Sequence, residues 1–252
     1  MHVQDPEILF EDANYLVINK PAGLSVHADG RTKELTLADF VLMNFPKMAE
    51  VGEPWENPEG KVIPRPGIVH RLDRDTSGVM VLAKNQKTFE HLKAQFQNRE
   101  TRKIYRAFVY RILKEKEGVI KKPIGKSRSD FRKWSAEFGA RGVLREAVTE
   151  YTVLTEAKDG SASYLEVHPK TGRTHQIRVH LKSIGHSIVC DALYAPKGEK
   201  LLGFDRLALH AFSLSFSDIN GNLLQFAAPL PEAFLHALRL LKAENTDFSN
   251  PC

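Results

Sequence analysis

The chain contains very little cysteine: Cys190 and Cys252 are the only two in 252 residues. A disulfide framework needs more, so a reducing compartment such as the cytoplasm fits this composition best. No apolar run approaches the roughly 18–20 residues of a membrane-spanning helix. The N-terminus also lacks the basic and apolar segments of a signal peptide. We therefore expect a soluble cytoplasmic protein that does not enter a membrane.

The sequence also lacks the motifs that bind common cofactors. Neither GxxxxGK[ST] nor GxGxxG occurs, which leaves a nucleotide without a phosphate cradle, and no GxSxG indicates a serine hydrolase. His175 and His180 are five residues apart, a spacing that does not give the shared helix face used by metal ligands. His180, His186 and Cys190 match no zinc spacing either. We expect no cofactor and no metal.

The charge balance is only mildly basic. There are 36 Lys and Arg against 31 Asp and Glu, which gives a net charge of +5 and a pI near 9.1. Apolar residues make up 42% and charged residues 27%, both ordinary for a globular protein. The excess permits a polyanionic partner without requiring one.

Segments with strand and helix patterns are interspersed, but without the regular alternation of a parallel sheet. This order favours an α+β fold with a mixed, largely antiparallel central sheet flanked by helices. Apolar spacing and turn residues predict helices over 36–45, 87–100, 173–185 and 230–243. The same signals predict two short strands within 8–20 and further strands over 78–84, 103–112, 147–155, 161–168, 206–217 and 223–229.

Two segments have unusual composition. Residues 46–67 contain five prolines and three glycines, which predicts a long inserted loop without regular structure. Residues 121–133 are rich in Lys and Arg, with Asp130 as the only acidic residue. That segment is either a solvated loop or an arm that contacts phosphate groups.

The stretch IVHRLDRDTSGVMVLAK, residues 68–84, places dense charge directly before a strand. Asp75, Thr76 and Ser77 are good turn residues and shape the entry to that strand. Asp73 lies two positions earlier, where a partly buried carboxylate would need a cation or several donors to stay ionised. Nearby arginines offer that charge. So do Arg173 and Arg178, which lie around the helix that Thr174 is expected to cap.

This stretch resembles the motif with the catalytic aspartate of RluA-type pseudouridine synthases. Four further segments resemble the family in the expected order: YLVINKPAGLSVH (15–27), RKIYRAFV (102–109), REAVTEYTVL (145–154) and HPKTGRTHQIRVHLKSIGHSIVCDALY (168–194). The resemblance covers roughly residues 8–230. It implies a single catalytic domain over 1–252, with the inserted loop 46–67 and the basic arm 121–133.

Members of this family isomerise uridine in RNA to pseudouridine: the N-glycosidic bond breaks, the base rotates, and a carbon–carbon bond forms to C1′. The resemblance makes Asp73 the essential carboxylate, acting either as a nucleophile or by removing a ribose proton. Arg178 is then expected to pair with it, and Tyr105 to stack on the target uracil. Arg71 is expected to take the space of the extruded nucleotide; its alternative role is an ion pair with Asp75.

The resemblance also implies a structured RNA partner, ribosomal or transfer RNA, and no obligatory protein partner, with a monomer as the default. Many relatives carry a small RNA-binding domain ahead of the catalytic one, whereas this chain begins directly with the catalytic part. RNA affinity is therefore expected from the catalytic face. The candidate RNA-binding residues, besides Arg71, are His70, Lys121, Lys122, Arg128, Arg173 and His175.

Two other functions remain open from the residues alone. The first is a non-catalytic RNA-binding or ribosome-associated protein of the same fold, although every expected catalytic position is present. The second is a glycoside hydrolase that uses Asp73 and Asp75 as its carboxylate pair. Those two residues are too close in sequence to suit either standard carboxylate separation.

Overall fold

The computed structural model describes residues 4–28, 34–57, 59–60, 62–130, 132–137 and 140–245, so Cys252 lies outside the described residues. The chain forms two compact units. The first comprises Met1–Lys103 with Ala211–Pro229, and the second comprises Ile104–His210 with Leu230–Cys252. Each unit combines strands and helices, which agrees with the predicted α+β class.

The helices are α1 Leu37–Asn44, α2 Gln86–Asn98, α3 Gln176–Ser183 and α4 Glu232–Asn245. The strands are β1 Glu7–Glu11, β2 Tyr15–Lys20, β3 Trp55–Glu56, β4 Val62–Ile63, β5 Ser77–Ala83, β6 Arg102–Tyr110, β7 Glu117–Lys121, β8 Ile124–Lys126, β9 Trp134–Ser135, β10 Arg141–Arg145, β11 Val148–Glu156, β12 Ala162–Pro169, β13 Leu209–Ser217 and β14 Leu223–Ala227.

The first unit is organised around β5. Its strands follow the order β1-β2-β5-β13, with β14 paired to β13. The pairs β1–β2, β2–β5 and β13–β14 are antiparallel. All seven residues of β5 are buried, which explains why SGVMVLA is a nearly continuous apolar run instead of an alternating one. This strand directly follows the charged stretch that contains Asp73.

The second unit contains an antiparallel sheet in the order β6-β12-β11-β7. Its core includes a cluster of aromatic rings: Phe108 lies 5.1 Å from Phe204 and 5.5 Å from Phe234, measured between ring centroids. Leu181 of α3 is buried in the same core. Burying one face of α3 in this way fixes the helix that carries Arg178.

Most predicted elements are confirmed, with shifted ends. α1 begins where the sequence places its cap, because the Thr36 hydroxyl accepts the Asp39 N–H and the Asp39 carboxylate accepts the Thr36 N–H at 2.8 Å. The predicted hairpin is β13 and β14, with Asp218 accepting the N–H groups of Asn220 and Asn222 in the turn. In the described residues, no helix is both long and apolar enough to cross a bilayer.

The prediction that 46–67 contains no regular structure is wrong. Pro46–Met48 forms a 3-10 helix, and β3 and β4 pair with each other as a two-residue antiparallel ribbon. Proline is tolerated at the first turn of a helix, where Pro46 lies. Pro58 and Lys61 of this segment lie outside the described residues.

The predicted cap of the third helix is also wrong. α3 begins at Gln176, three residues later than the predicted start, and His175, not Thr174, occupies the N-cap position without a side-chain cap bond. His175 has φ 56°, in the left-handed region, which few non-glycine residues adopt. A tertiary contact of the His175 ring, described below, accompanies this conformation.

The basic segment 121–133 contains regular structure, and its predicted contact with phosphate groups stays a prediction. Lys121 ends β7, and Ile124–Lys126 forms β8, the central strand of a small antiparallel sheet in the order β10-β8-β9. The sequence patterns did not predict the four strands β7, β8, β9 and β10. Phe131 of this segment lies outside the described residues.

Gly78 at the start of β5 tests how tightly this strand fits. Its φ is +123°, and an added Cβ would lie 2.2 Å from the carbonyl oxygen of Ala211. We expect Gly78→Ala to lower the free energy of unfolding by at least about 2 kcal/mol, because backbone atoms must move. Gly172→Ala is the matched control, since a methyl group added there would have nothing within 4 Å of it. Urea unfolding of both variants measures this difference, and equal midpoints would contradict it.

Candidate functional site

Asp73 lies at the start of a tight turn that leads into β5. The Thr76 N–H donates to the Asp73 carbonyl oxygen at 3.1 Å, which closes the turn. Leu72 and Thr76 on either side are buried, Asp73 is half-buried, and Asp75 at the tip is exposed. The two neighbouring carboxylates therefore occupy different environments, and Asp73 lies on main chain between two buried residues.

A buried lysine stabilises the turn through a hydrogen bond to its main chain. The Lys20 ammonium has 0% exposure and donates to three carbonyl oxygens: those of Pro21 at 2.8 Å, Leu24 at 2.8 Å and Arg74 at 3.0 Å. The Arg74 carbonyl also accepts the Gly23 N–H at 2.8 Å. An ammonium has three donors and no acceptor, so these carbonyls satisfy it fully. The NKPAG segment is thereby bonded to the turn.

Arg71 is exposed, and its guanidinium is oriented by a neutral histidine. Arg71 Nη1 lies 3.1 Å from His27 Nε2. Burial and the charges of Arg71 and Arg65 lower the pKa of His27 to about 4, so near neutral pH the ring nitrogen accepts from the arginine. Among the described residues this contact, not an ion pair with Asp75, is the one formed by the Arg71 side chain.

His70 has a structural position in the first unit. Its Nε2 accepts the Val81 N–H at 3.1 Å, and its ring stacks on Phe96 with centroids 4.4 Å apart and an interplanar angle of 14°. Burial, and next the charge of Lys103, lower the pKa of His70 to about 3. The imidazole is therefore neutral at physiological pH and bonds α2 to β5. Its predicted contact with RNA stays a prediction.

In the second unit, Arg178 forms a buried bidentate ion pair with Asp191. Arg178 Nε donates to Asp191 Oδ2 and Nη2 donates to Oδ1, both at 2.8 Å. The side-chain exposures are 8% for Arg178 and 0% for Asp191. The guanidinium carbon lies 5.0 Å from the centroid of the Tyr194 ring, within the range of a cation–π contact. One edge and one face of the guanidinium are therefore fixed.

His175 belongs to the same network. Its Nδ1 lies 2.8 Å from the Tyr194 hydroxyl, and that hydroxyl accepts the Trp134 N–H at 2.9 Å. A tyrosine hydroxyl can donate and accept at the same time, so it joins the His175 ring to the main chain at Trp134. Tyr194 thus connects α3, through His175 and Arg178, to strand β9 of the small sheet.

The remaining predicted residues lie at separate places. Tyr105 is half-buried on β6, opposite Val167 of β12. Arg173 Nε donates to the Glu146 carbonyl at 3.1 Å. Lys121 and Arg128 are exposed. Lys122 donates to the Ser183 carbonyl at 2.8 Å, where a cation stabilises the last carbonyls of α3. Its predicted contact with RNA stays a prediction.

The sequence patterns did not indicate three residues that organise these sites: Lys20, Asp191 and Tyr194. Asp191 could have been noticed as a turn former, because Asp bonds to main-chain N–H groups two and three positions later. Nothing in the spacing indicates that its second oxygen binds Arg178. In the described part of the chain, no group of three or more His, Cys, Asp or Glu residues is arranged to hold a metal ion.

Replacing Lys20 by methionine tests its role in holding the turn. We expect Lys20→Met to lower the free energy of unfolding by roughly 2–4 kcal/mol, because buried carbonyl acceptors lose their donor. Lys93→Met is the control, since Lys93 pairs with Glu53 at the surface and should change stability by less than about 1 kcal/mol. Chemical denaturation of both variants measures the effect. Equal losses would contradict the proposed role of Lys20.

The histidine environments predict a pH dependence of stability. His70 and His27 have folded pKa values of about 3 and about 4, below the ordinary value of 6.5. Below pH 6.5 the unfolded chain binds protons that the folded chain does not, so stability falls as the pH drops from about 6.5 toward 4. His70→Gln keeps an acceptor for the Val81 N–H but cannot titrate. We expect the urea midpoint of His70→Gln to fall less steeply with decreasing pH than that of wild type. An equally steep fall would contradict the lowered pKa of His70.

Comparison with known proteins assigns the chain to a family. The model of the RNA pseudouridylate synthase family matches residues 14–183, more than half of the chain. An uncharacterized RNA pseudouridine synthase of Synechocystis is 38% identical over 237 residues, which cover 94% of this chain and 69% of the relative. Ribosomal large subunit pseudouridine synthase D of Zymomonas mobilis is 36% identical over 249 residues, covering 95% and 74%.

Solved structures agree with this assignment. Human RNA pseudouridylate synthase domain containing 4 superposes with a TM-score of 0.71 at 29% identity, covering 94% of this chain and 93% of that one. The segment matched by the family model includes the turn with Asp73 and the helix with Arg178. The chain belongs to the RNA pseudouridine synthase family, of the RluA type, whose members are isomerases.

Proposed function

We propose that this chain converts specific uridines of ribosomal RNA to pseudouridine, with Asp73 as the essential carboxylate. The observation that carries the proposal is the turn at Asp73, fixed by the Thr76 N–H and bonded to the buried Lys20 within the matched family segment. Relatives from Zymomonas mobilis and Pseudomonas aeruginosa, both 36% identical, are named ribosomal large subunit pseudouridine synthase D. We take the chain to act as a cytoplasmic monomer.

The turn suits Asp73 for attack on a sugar. A carboxylate that acts as a nucleophile at C1′, or that removes a ribose proton, must be ionised and held near the reacting atoms. Asp73 is half-buried, its carbonyl accepts the Thr76 N–H, and the next carbonyl, that of Arg74, accepts from the buried Lys20. Asp75, by contrast, is exposed at the tip of the turn. The environment therefore favours Asp73 over Asp75 as the working group.

Two further residues receive roles from the family motif. The family motif gives Arg178 the role of the cation that keeps the catalytic carboxylate ionised. In the structure, Arg178 Nε and Nη2 both donate to Asp191. Tyr105 stacks on the uracil, consistent with its half-buried position on β6.

Arg71 is proposed to fill the space left when the target nucleotide is extruded from the RNA. Its guanidinium is exposed and oriented by the neutral ring of His27. A planar cation can both stack on bases and donate to groups that lose their partners when a base flips.

Basic residues of the second unit are proposed to bind the RNA backbone. Lys121 and Arg128 are exposed, as are Arg141 and Arg145 on β10 of the small sheet.

An aromatic ring lies beside a cation in the same small sheet, where Lys126 Nζ is 4.2 Å from the centroid of the Trp134 ring. Cations bind phosphates and rings stack on unpaired bases. This surface contributes affinity without reading sequence, together with Arg173 and His175.

Pseudouridine mapping tests the proposal. Total RNA from cells lacking the protein is mapped for pseudouridine at single-nucleotide resolution, and purified variants are then added to it. We expect the lost sites to lie in ribosomal RNA and to be restored by wild type. Asp73→Asn should restore none, because an amide provides neither a nucleophile nor a base. Asp75→Asn, a control from the same turn, should restore them.

Each other outcome excludes a part of the proposal. Lost sites confined to transfer RNA would refute the ribosomal target, but the chain would still be a pseudouridine synthase. Restoration by Asp73→Asn would remove Asp73 from the chemistry. No lost site, with RNA binding intact, would favour a non-catalytic RNA-binding protein.

A further inference from the structure

Both oxygens of the Asp191 carboxylate bind Arg178, but only one of them also binds main-chain N–H groups. Oδ1 accepts the N–H groups of Leu193 at 3.0 Å and Tyr194 at 2.9 Å, as well as Arg178 Nη2 at 2.8 Å. Oδ2 accepts Arg178 Nε at 2.8 Å. Oδ1 therefore shapes a turn, whereas the bond to Oδ2 orients the arginine.

Asp12 provides an internal comparison. Its Oδ1 accepts the N–H groups of Asn14 at 2.7 Å and Tyr15 at 2.6 Å, two and three residues later, as Asp191 does. The Asp12 turn needs only one oxygen and involves no arginine in these bonds. Shaping a turn therefore does not explain why Asp191 is fully buried and paired with a guanidinium through both oxygens.

The position of Arg178 is restricted from three directions. Its Cα lies in the first turn of α3, whose apolar side is buried in the core of the second unit. Asp191 binds one edge of its guanidinium, and the Tyr194 ring lies against one face at 5.0 Å. An arginine otherwise has many rotamers, and ordering such a long side chain during a reaction costs entropy.

We propose that Asp191 is a positioning residue for Arg178: its carboxylate fixes the guanidinium before RNA binds, so that no reorientation is needed during the reaction. This inference rests on the proposed function, because it requires Arg178 to take part in isomerisation. Tyr194 contributes to the same arrangement, since the turn capped by Asp191 places its ring. Preorganised charge accelerates reactions because it is already aimed where charge develops.

Asp191→Asn isolates this role from the turn. An asparagine can keep its oxygen at the position of Oδ1, so the Leu193 and Tyr194 N–H groups stay bonded. Its amide NH2 group then takes the position of Oδ2. Because that group and Arg178 Nε are both donors, the hydrogen bond between them is lost. Asp12→Asn is the matched control, and Arg178→Lys removes the bidentate geometry from the other partner while keeping the charge.

The experiment measures kcat and KM for pseudouridine formation on an RNA that contains a site restored by wild type. We expect Asp191→Asn and Arg178→Lys each to lower kcat at least about tenfold, with KM within about twofold, because ground-state RNA binding is retained. Asp12→Asn should stay within about twofold of wild type in both constants. Adding Asp191→Asn to Arg178→Ala should cause no further loss, since Asp191 acts through the arginine.

The outcomes separate the inference from the function on which it rests. Wild-type kcat in a folded Asp191→Asn, or an independent loss on top of Arg178→Ala, overturns the positioning role of Asp191. Should Asp191→Asn fail to fold, wild-type kcat in Arg178→Lys overturns it instead. A rate for Arg178→Ala within about threefold of wild type refutes the role of Arg178 itself. Wild type that restores no site refutes the proposed function.

Discussion

The buried ammonium of Lys20 is the interaction on which the site of the first unit depends. It donates to three carbonyl oxygens, one of them in the turn that follows Asp73. Burying an ammonium is costly unless every donor is satisfied, so the NKPAG segment and the turn must adopt their mutual geometry when the unit folds. The same bonds that stabilise the fold therefore determine where the carboxylate-bearing backbone lies.

The second unit uses a related principle with an arginine. Arg178 and Asp191 are buried together, and the remaining acceptor capacity of the carboxylate binds main-chain N–H groups at Leu193 and Tyr194. A buried ion pair adds little net stability compared with apolar packing, but removing one partner leaves an unpaired charge. We propose that the pair serves orientation, because it holds a flexible cation in one conformation. Both units thus build functional geometry from fully satisfied buried charges.

Local patterns predicted much of the fold, and tertiary contacts explain the failures. The Thr36 capping box, the apolar run of β5 and the hairpin at Asp218 depend on neighbours within a few residues, so sequence alone located them. The start of α3 was misplaced because His175 adopts a left-handed conformation while bonded to Tyr194, 19 positions away. Family motifs indicated Asp73 and Arg178, but not Lys20 or Asp191, whose roles appear only when distant carbonyls and guanidinium groups are brought together.

We propose that isomerisation depends on where the turn holds the Asp73 carboxylate. Asp73→Glu isolates this dependence, because it keeps the charge and moves the carboxylate by one methylene. RNA labelled with tritium at uridine C5 releases the label when C5 becomes bonded to the sugar, so release reports each turnover. At saturating RNA we expect Asp73→Glu to release tritium at least about 100-fold more slowly than wild type, since misplacement by about 1 Å has such an effect. Release at the wild-type rate would show that isomerisation does not depend on the position of this carboxylate.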